Sequence, residues 1–122
     1  MIEWLQGNSF TRVATIYSGN ITLNTPCIKY FEGVRWCLIG IDRDEKKIAI
    51  KLVSDEDMKK KTYTPDVLNK VSIGKSYVRI SNKNIVKEIS KVMKKDKSSG
   101  EKFVIDYNED EKQIIIDISQ SF

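Results

Sequence analysis

Apolar and polar residues alternate along two similar stretches of this chain, and each stretch is interrupted by a charged turn. The first is IGIDRDEKKIAIKL at residues 39–52, and the second is FVIDYNEDEKQIIIDI at residues 103–118. Because side chains on a strand point alternately to its two faces, this period of two is typical of half-buried strands. The stretches therefore predict two β-hairpins, with strands at 36–42, 47–53, 102–107 and 113–118.

The apolar spacing becomes helical between these two hairpins. Apolar residues after position 83 recur at intervals of three and four, which places them on one face of a helix: Ile85, Val86, Ile89, Val92 and Met93. Ser81 or Asn82 can cap this helix, and residues 77–80 before it have the composition of a strand.

A shorter helix is predicted from local signals around Pro26. Thr25 can cap it, Pro26 fits the first helical position, and Gly33 fits the left-handed residue that often follows a helix. This helix would turn Ile28 and Phe31 toward the core.

A hairpin is also predicted near the start of the chain. Residues 10–17 and 21–23 are rich in β-branched and aromatic side chains, and the turn-forming sequence Ser-Gly-Asn at 18–20 joins them.

The middle of the chain interrupts the pattern. Residues 54–70 combine an acidic cluster, three consecutive lysines and Pro65, which favours a solvated connector with one helical turn after Ser54. Residues 71–80 are then predicted to be extended, with a bend at Gly74.

The predicted elements follow the same order in both halves: strand, helix, strand, strand. Such a unit exposes an apolar face that a second unit can cover, so we expect an α+β, strand-rich fold in which two halves pack as one compact barrel-like or sandwich-like domain. The first half would span residues 1–53 and the second residues 77–122, with a charged connector at 54–76. Internal duplication explains this order. Chance is the alternative, because hairpins with charged turns are common and Ile and Lys dominate the composition.

Length and composition agree with one domain. The chain has 122 residues, of which 40% are hydrophobic and 31% charged, as in globular proteins. No apolar run approaches the roughly 18 residues of a membrane span, and residues 1–10 do not have the features of an export signal, so a cytoplasmic location is expected. Cys27 and Cys37 are predicted to be small buried apolar side chains rather than a disulfide framework.

A short motif in the predicted helix, VKEIS at 86–90, is followed by GEKFVIDYNEDEKQIIIDI at 100–118. Together with the strand before them, these residues resemble the AbrB/SpoVT swapped-hairpin family of small bacterial transition-state regulators. That family's pattern runs from a strand through an apolar-Pro-Lys-Glu-Ile helix to Gly-Asp and a hairpin with an acidic turn. Lys87, Glu88, Ile89 and Gly100 match it, whereas Val86 replaces the proline. The resemblance covers residues 78–118, and residues 21–52 show a weaker resemblance to the same pattern.

The resemblance implies a dimer of interleaved hairpins or, with two copies in one chain, a pseudo-dimer that binds DNA. It also implies a role in the regulation of transcription in bacteria. The alternative is another strand-rich nucleic-acid binder, similar to the small coactivators that bind single strands.

Positive charge is concentrated around the predicted helix. The net charge is +4, and residues 83–97 alone hold six lysines against Glu88 and Asp96. Lysines recur opposite the apolar stripe, where they could follow phosphates and release counterions. The predicted nucleic-acid-binding residues are therefore Arg79, Lys83, Lys87, Lys91, Lys94 and Lys95. The alternative explanation of this row is that every amphipathic helix needs a polar face.

Other charged and aromatic residues modify this hypothesis. Residues 98–122 contain six acids against two lysines, and these acids would repel DNA if they shared the helix face. The alternative is that they cluster at the turn at 108–111, away from the contact surface. The chain has four arginines, so contact with the backbone or readout of shape is expected rather than strong base specificity. Most aromatic residues are expected in the core. Tyr77 and Tyr107 are the two candidates for exposed rings that stack on single-stranded bases, with burial in the core as the alternative for each.

No catalytic site, metal site or cofactor is predicted, and we expect that the protein is not an enzyme. The sequence has no histidine, the commonest proton shuttle at neutral pH. Two cysteines cannot complete a zinc site of about four ligands, and the glycines are not grouped in a phosphate-binding loop. The acidic cluster at 55–57 fits no calcium loop and is predicted to be a solvated turn.

Two functional hypotheses remain. The first is a DNA-binding regulator of bacterial or phage type that contacts the phosphate backbone. The second is a protein-interaction or structural module without nucleic-acid binding, whose hairpins pair with a second copy or another protein along open sheet edges.

Overall fold

The computed structural model describes residues 1–4, 11–60, 62–93 and 100–119. Within these ranges eight antiparallel strands close into a barrel, which confirms the strand-rich, barrel-like fold. The strands are β1 (Val13–Ile16), β2 (Asn20–Asn24), β3 (Val34–Asp42), β4 (Lys47–Ser54), β5 (Asn69–Ile73), β6 (Tyr77–Ser81), β7 (Glu101–Asn108) and β8 (Gln113–Asp117). Their order around the barrel is β1-β2-β6-β5-β3-β4-β8-β7, and β7 pairs with β1 to close it.

Short helices join the strands in the described part of the chain. Two are α-helices, α1 (Asp55–Lys59) and α2 (Lys83–Val92), and two are 3₁₀ helices, the first at Thr25–Phe31 and the second at Pro65–Val67. The first 3₁₀ helix connects β2 to β3, and α2 connects β6 to β7 at the equivalent place in the second half.

The four hairpins of the barrel are interleaved. The β1–β2 hairpin lies between β7 and β6, and the β3–β4 hairpin lies between β5 and β8. Because β1 to β4 come from the first half and β5 to β8 from the second, each hairpin has hairpins of the other half on both sides. Neither half contains a continuous sheet of four strands.

The two halves occupy equivalent places in the barrel. The strand order is unchanged when β1, β2, β3 and β4 are interchanged with β5, β6, β7 and β8, respectively. The barrel topology therefore has pseudo-two-fold symmetry, and its axis passes through the β2–β6 and β4–β8 pairs. The hydrogen bonds repeat as well. The Ile118 amide donates to the Lys46 carbonyl at 2.9 Å, and the Leu52 amide donates to the Lys112 carbonyl at 3.0 Å.

Each half begins with a hairpin, which differs from the predicted order of strand, helix, strand, strand. The Gly74 amide donates to the Tyr77 carbonyl at 2.8 Å, so the expected bend is the turn of the β5–β6 hairpin. Residues 54–76, predicted as a connector, contain α1, the second 3₁₀ helix and β5. The extended segment predicted at 71–80 corresponds to β5 and β6, so β5 is a strand of the barrel rather than part of a connector.

Inward-pointing β-branched and other apolar side chains fill the barrel. Every strand contributes, and the buried set includes Ala14, Ile16, Ile21, Leu23, Cys37, Ile48, Ile50, Val71, Val78, Ile80, Phe103, Ile105, Ile114 and Ile116. Cys27 and Cys37 are free and fully buried, as predicted. Burying this much apolar surface in one core is the main source of stability for a domain of this size.

The helices cover the two ends of the barrel. α2 packs Val86 and Ile89 on the core at the end that holds the β1–β2 and β3–β4 turns. The first 3₁₀ helix packs Phe31 at the other end, together with the β5–β6 and β7–β8 turns. There the Tyr30 and Tyr107 rings stack with centroids 4.0 Å apart.

The predicted helix signals are partly correct. Asn82 caps α2, since its side-chain oxygen accepts from the Ile85 amide at 3.1 Å. Gly33 is left-handed with a φ of 72°. Thr25 is not a cap, because it lies inside the first 3₁₀ helix and its hydroxyl donates to the Ser76 carbonyl. Ile28 is only partly buried.

Candidate nucleic-acid interface

The lysine row lies on the solvent side of α2. Lys83, Lys87 and Lys91 are all exposed, while Val86 and Ile89 on the opposite side are buried in the core. The helix therefore has the amphipathic arrangement expected from the sequence. Lys94 and Lys95, also predicted to bind nucleic acid, lie outside the described residues.

One carboxylate interrupts this row. The two carboxylate oxygens of Glu88 accept from the Lys91 ammonium at 3.2 Å and from the Arg43 guanidinium at 3.1 Å. These hydrogen bonds hold the pKa of Glu88 below its ordinary value of 4.5, so the carboxylate is charged at neutral pH. Lys91 is therefore partly neutralised, and Lys83 and Lys87 are the stronger candidates for contact with phosphate.

Arg79 lies apart from the helix, on the outer surface of the barrel. In the strand register it is opposite Thr22 of β2 and Ser72 of β5. Its guanidinium carbon lies 5.0 Å from the centroid of the Tyr77 ring, within the range of a cation–π contact. We call the outer surface of β1, β2, β6 and β5 the β2–β6 face, and Arg79 is close to its centre.

Lys83 connects α2 with this face. A Cβ added to Gly19 would lie 3.5 Å from Cγ and 3.7 Å from Cε of Lys83, so the lysine stem runs along the β1–β2 turn. The Asn82 amide donates to the Gly19 carbonyl at 3.2 Å and fixes the helix start at this place. Of the predicted site residues, the structure thus brings Lys83 toward the face that carries Arg79.

The acidic β7–β8 turn lies at the opposite end of the barrel from α2. Tyr107, directly before this turn, stacks on Tyr30 of the first 3₁₀ helix, and Lys112 near its end affects the electrostatic environment of Asp57 in α1. Glu109, Asp110 and Glu111 therefore do not share the surface of the lysine row. These three acids are therefore too far away to repel a ligand on α2. Glu101, which pairs with Ile16, and Asp117, which pairs with Lys47, lie at the α2 end of the barrel.

Two segments of the chain contain cationic residues but no carboxylates, a pattern that was not recognised from the sequence. Residues 11–31 and 67–87 together hold seven Lys and Arg and no Asp or Glu. These two segments build the β2–β6 face, the first 3₁₀ helix and the first half of α2. The signal was present in the sequence but divided between two distant segments, and only the pairing of β2 with β6 joins them.

The aromatic candidates differ from the prediction in two respects. Of the two candidates for exposed rings, Tyr77 is exposed, with 36% of its surface accessible, whereas Tyr107 is half-buried in its stack with Tyr30. Tyr17, which was not singled out, is 43% exposed. It lines a cleft on the β2–β6 face together with Asn20, Thr22, Tyr77 and Arg79.

The acidic cluster at 55–57 has a structural role. The Ser54 hydroxyl accepts from the Asp57 amide, and the Asp57 carboxylate accepts from the Ser54 amide, which forms a capping box at the start of α1. These bonds lower the pKa of Asp57. Within the described ranges, no group of three or more His, Cys, Asp or Glu could hold a metal ion.

The two cysteines do not offer a reactive site. Burial raises the pKa of Cys27 to about 11 and that of Cys37 to about 12. Nucleophilic and metal-binding chemistry of cysteine requires the thiolate, which these values disfavour at neutral pH.

No family model matches the chain, and neither a curated protein nor a solved structure matches it. None of the helices in the described residues has the length and apolar character needed to span a membrane.

Proposed function

We propose that the protein binds nucleic acid by contacting its phosphate backbone with the β2–β6 face and the first half of α2. One observation carries this proposal. Arg79 and Lys83 lie on a surface built from two segments that contain seven cationic residues and no carboxylate.

Charge segregation is the physical reason. The whole chain has a net charge of +4, so these two segments carry more positive charge than the protein as a whole. The remainder of the chain is net negative. A surface with one sign of charge attracts a polyanion and gains free energy from the counterions that it releases.

The contributions of individual cations should differ. Lys83 and Lys87 are exposed and make no ion pair with a described residue. Arg79 is held in place by Tyr77, so less conformational entropy is lost when it binds a phosphate. Lys91 and Arg43 share Glu88 and should contribute less.

The interleaved topology supports a finer proposal. Each hairpin is flanked by hairpins of the other half, as expected for two like-built halves joined in one chain. This arrangement agrees with the pseudo-dimer of swapped hairpins that the resemblance to the AbrB/SpoVT family implies. We therefore propose that the chain arose by internal duplication and acts as a small DNA-binding regulator of bacterial type.

Fluorescence anisotropy across a range of salt concentrations tests the proposal. Labelled duplex and single-stranded oligonucleotides should bind at low salt, and affinity should fall steeply as salt rises. Arg79→Ala and Lys83→Glu should weaken binding to both ligands and lower the salt slope by about 0.9 for each duplex phosphate that the variant no longer neutralises. Glu88→Gln should strengthen binding, because it releases Lys91 and Arg43.

Lys59→Glu is the matched control. Lys59 is also exposed, but it lies in α1 beside the acidic cluster. It should leave affinity unchanged. Absence of binding to any oligonucleotide at low salt, with a folded protein, would contradict the proposal.

A protein-interaction module is the second candidate, and one feature of the barrel favours it. β3 pairs with β5 only through Trp36–Lys70 and Cys37–Asn69, so the β5 side of residues 38–42 has no strand neighbour among the described residues. α2 faces this segment across a groove lined by Ile39, Ile41 and Ile85. An extended peptide could pair there. A pull-down that retains a protein partner, combined with no nucleic-acid binding, would favour this function.

A further inference from the structure

Two tyrosines and three polar residues line the cleft on the β2–β6 face: Tyr17, Tyr77, Asn20, Thr22 and Arg79. The tyrosines lie at different levels of β2, because the Tyr17 amide donates to the Asn20 carbonyl whereas Tyr77 pairs with Asn24. Its volume is about 420 Å³. Both tyrosines are among the few large apolar or aromatic side chains in the described ranges that are exposed.

Glycines fix the positions of both tyrosine rings. A Cβ added to Gly74 would lie 3.3 Å from Cε1 and Cζ of Tyr77, and a Cβ added to Gly100 would lie 3.3 Å from Cε1 of Tyr17. Each ring therefore packs closely on a backbone without a side chain. A ring that is already in place loses little entropy when a planar ligand stacks on it.

The polar lining residues of the cleft offer donors and acceptors for hydrogen bonds. The Thr22 hydroxyl donates to the Asn20 side-chain oxygen at 3.0 Å. Asn20 thus keeps its two amide hydrogens and Thr22 keeps its hydroxyl lone pairs for a ligand. The Arg79 guanidinium, 5.0 Å from the Tyr77 centroid, adds a positive charge beside the ring.

These groups together match a nucleotide. Aromatic rings stack on a base of any identity, amide and hydroxyl groups bond to its edge, and a guanidinium binds the attached phosphate. Bases in a duplex are stacked on their neighbours and cannot enter a cleft unless they are flipped out. An unpaired base enters without that cost.

We propose, on the basis of the proposed function above, that the ligand is single-stranded nucleic acid and that its bases stack on Tyr17 and on Tyr77 in this cleft. Lys83, which runs along Gly19 next to this cleft, binds a neighbouring phosphate of the same strand. DNA and RNA single strands share the chemistry that this cleft recognises.

The test compares ligands whose bases are unpaired, paired or absent, and it includes both DNA and RNA single strands. Anisotropy titrations at low salt use labelled single strands of about fifteen nucleotides, a length within the range covered by single-strand-binding domains. The set contains DNA and RNA versions, the duplex of the same sequence, and a single strand in which abasic residues replace nucleotides. The intact single strands should bind more tightly than the duplex and the abasic strand.

Substitution of the two tyrosines tests whether this cleft is the binding site for the bases. Tyr17→Ala and Tyr77→Ala should each weaken binding of intact single strands by about 5- to 150-fold, as expected for the loss of one stacked base. They should change abasic binding little. Tyr77→Phe keeps the ring and should retain most of the affinity. Tyr63→Ala is the control, because Tyr63 lines a different cleft with Lys51 and Lys112.

The outcomes separate this inference from the proposed function. Equal or tighter binding of the duplex would overturn the single-strand inference, and so would equal binding of intact and abasic strands. In both cases the proposed function would survive. Absence of binding to all four ligands would instead overturn the proposed function. A difference between the DNA and RNA arms would show which strand the cleft prefers.

Discussion

Lys46 and Lys112 hold the same position in two turns at opposite ends of the barrel, and both have positive φ values, 54° and 52°. A lysine in the left-handed region brings its Cβ close to the following carbonyl oxygen, at a cost of roughly 1–2 kcal/mol. The two turns also share the sequence Asp-Glu-Lys and one side-chain hydrogen bond, since Asp42 accepts from the Glu45 amide at 3.0 Å and Asn108 accepts from the Glu111 amide at 3.1 Å.

Replacing either lysine with glycine should therefore stabilise the protein. We expect Lys46→Gly and Lys112→Gly each to raise the free energy of unfolding by about 0.5–1 kcal/mol, because relief of strain exceeds the entropy cost of glycine. The gains should add, since the turns are far apart. Urea denaturation measures this. Lys47→Gly within β4 is the control and should destabilise. A loss of stability in both turn variants would contradict the argument.

Asn82 joins α2 to the barrel and should be sensitive to substitution. Its side-chain oxygen caps the helix at the Ile85 amide, and its side-chain nitrogen donates to the buried Asn69 oxygen at 2.8 Å. Asn82→Ala removes the cap and leaves a buried acceptor unpaired, so we expect a loss of about 2–3 kcal/mol in thermal or urea unfolding.

The neighbouring Asn84→Ala provides the comparison. Asn84 is exposed, so its replacement should change stability by less than about 0.5 kcal/mol. Equal effects at the two positions would show that the cap and the contact with Asn69 contribute nothing.

The pKa of Glu88 should respond to its two cationic partners. Arg43 and Lys91 lower this pKa below 4.5 in the folded protein. Their contribution to stability is therefore present above the unfolded-state pKa and is lost as the pH falls through the lowered value. NMR titration of the carboxyl carbon should show a higher pKa in Arg43→Ala. Lys87→Ala should leave it unchanged, and a shift of equal size there would contradict the specific pairing.

The two cysteines should resist modification in the folded protein. Burial raises their pKa values to about 11 and about 12, so almost no thiolate exists at pH 8 and reagent cannot reach the sulfur. A colorimetric thiol assay should show negligible reaction in native buffer and reaction of both thiols in denaturant. Rapid reaction of one thiol under native conditions would indicate local opening near the first 3₁₀ helix or β3.

Gly100 and Gly33 form a matched pair for a test of the Tyr17 contact. Both have positive φ, 102° and 72°, but only Gly100 has a neighbour that a new Cβ would crowd. Gly33→Ala should cost about 1–2 kcal/mol from backbone strain alone. Gly100→Ala should cost more and should also weaken single-strand binding through displacement of Tyr17. A Gly100→Ala protein with unchanged affinity would show that the ring position is not important.

Local elements of this fold were predictable because their signals are local. The stripe that contains Val86 and Ile89 specifies α2, Asn82 specifies its start, and alternation specifies the hairpins of β3–β4 and β7–β8. The interleaving was not predictable from the same patterns. Nothing in the residues around Thr22 indicates that β2 pairs with β6, because strand partners are chosen by packing across the whole core.

The candidate site was predictable only in part for the same reason. Lys83 and Lys87 follow from helical spacing, and Arg79 was recognised by its charge. Tyr17 was not recognised, because its surroundings have the composition of an ordinary hairpin and its exposure depends on the barrel. The cleft with Tyr77 exists only once β1, β2 and β6 are adjacent.

The interleaved hairpins also determine how this chain can be divided. Every boundary between neighbouring hairpins joins segments that are distant in sequence, so cooperative folding must wait for the slow closure of long loops. A cut between α1 and β5 would yield two fragments that each leave four hairpin edges unpaired. Such fragments would restore the barrel only by association with each other. Because the two halves occupy equivalent places, formation of a homodimer from two copies of one fragment would compete with this association.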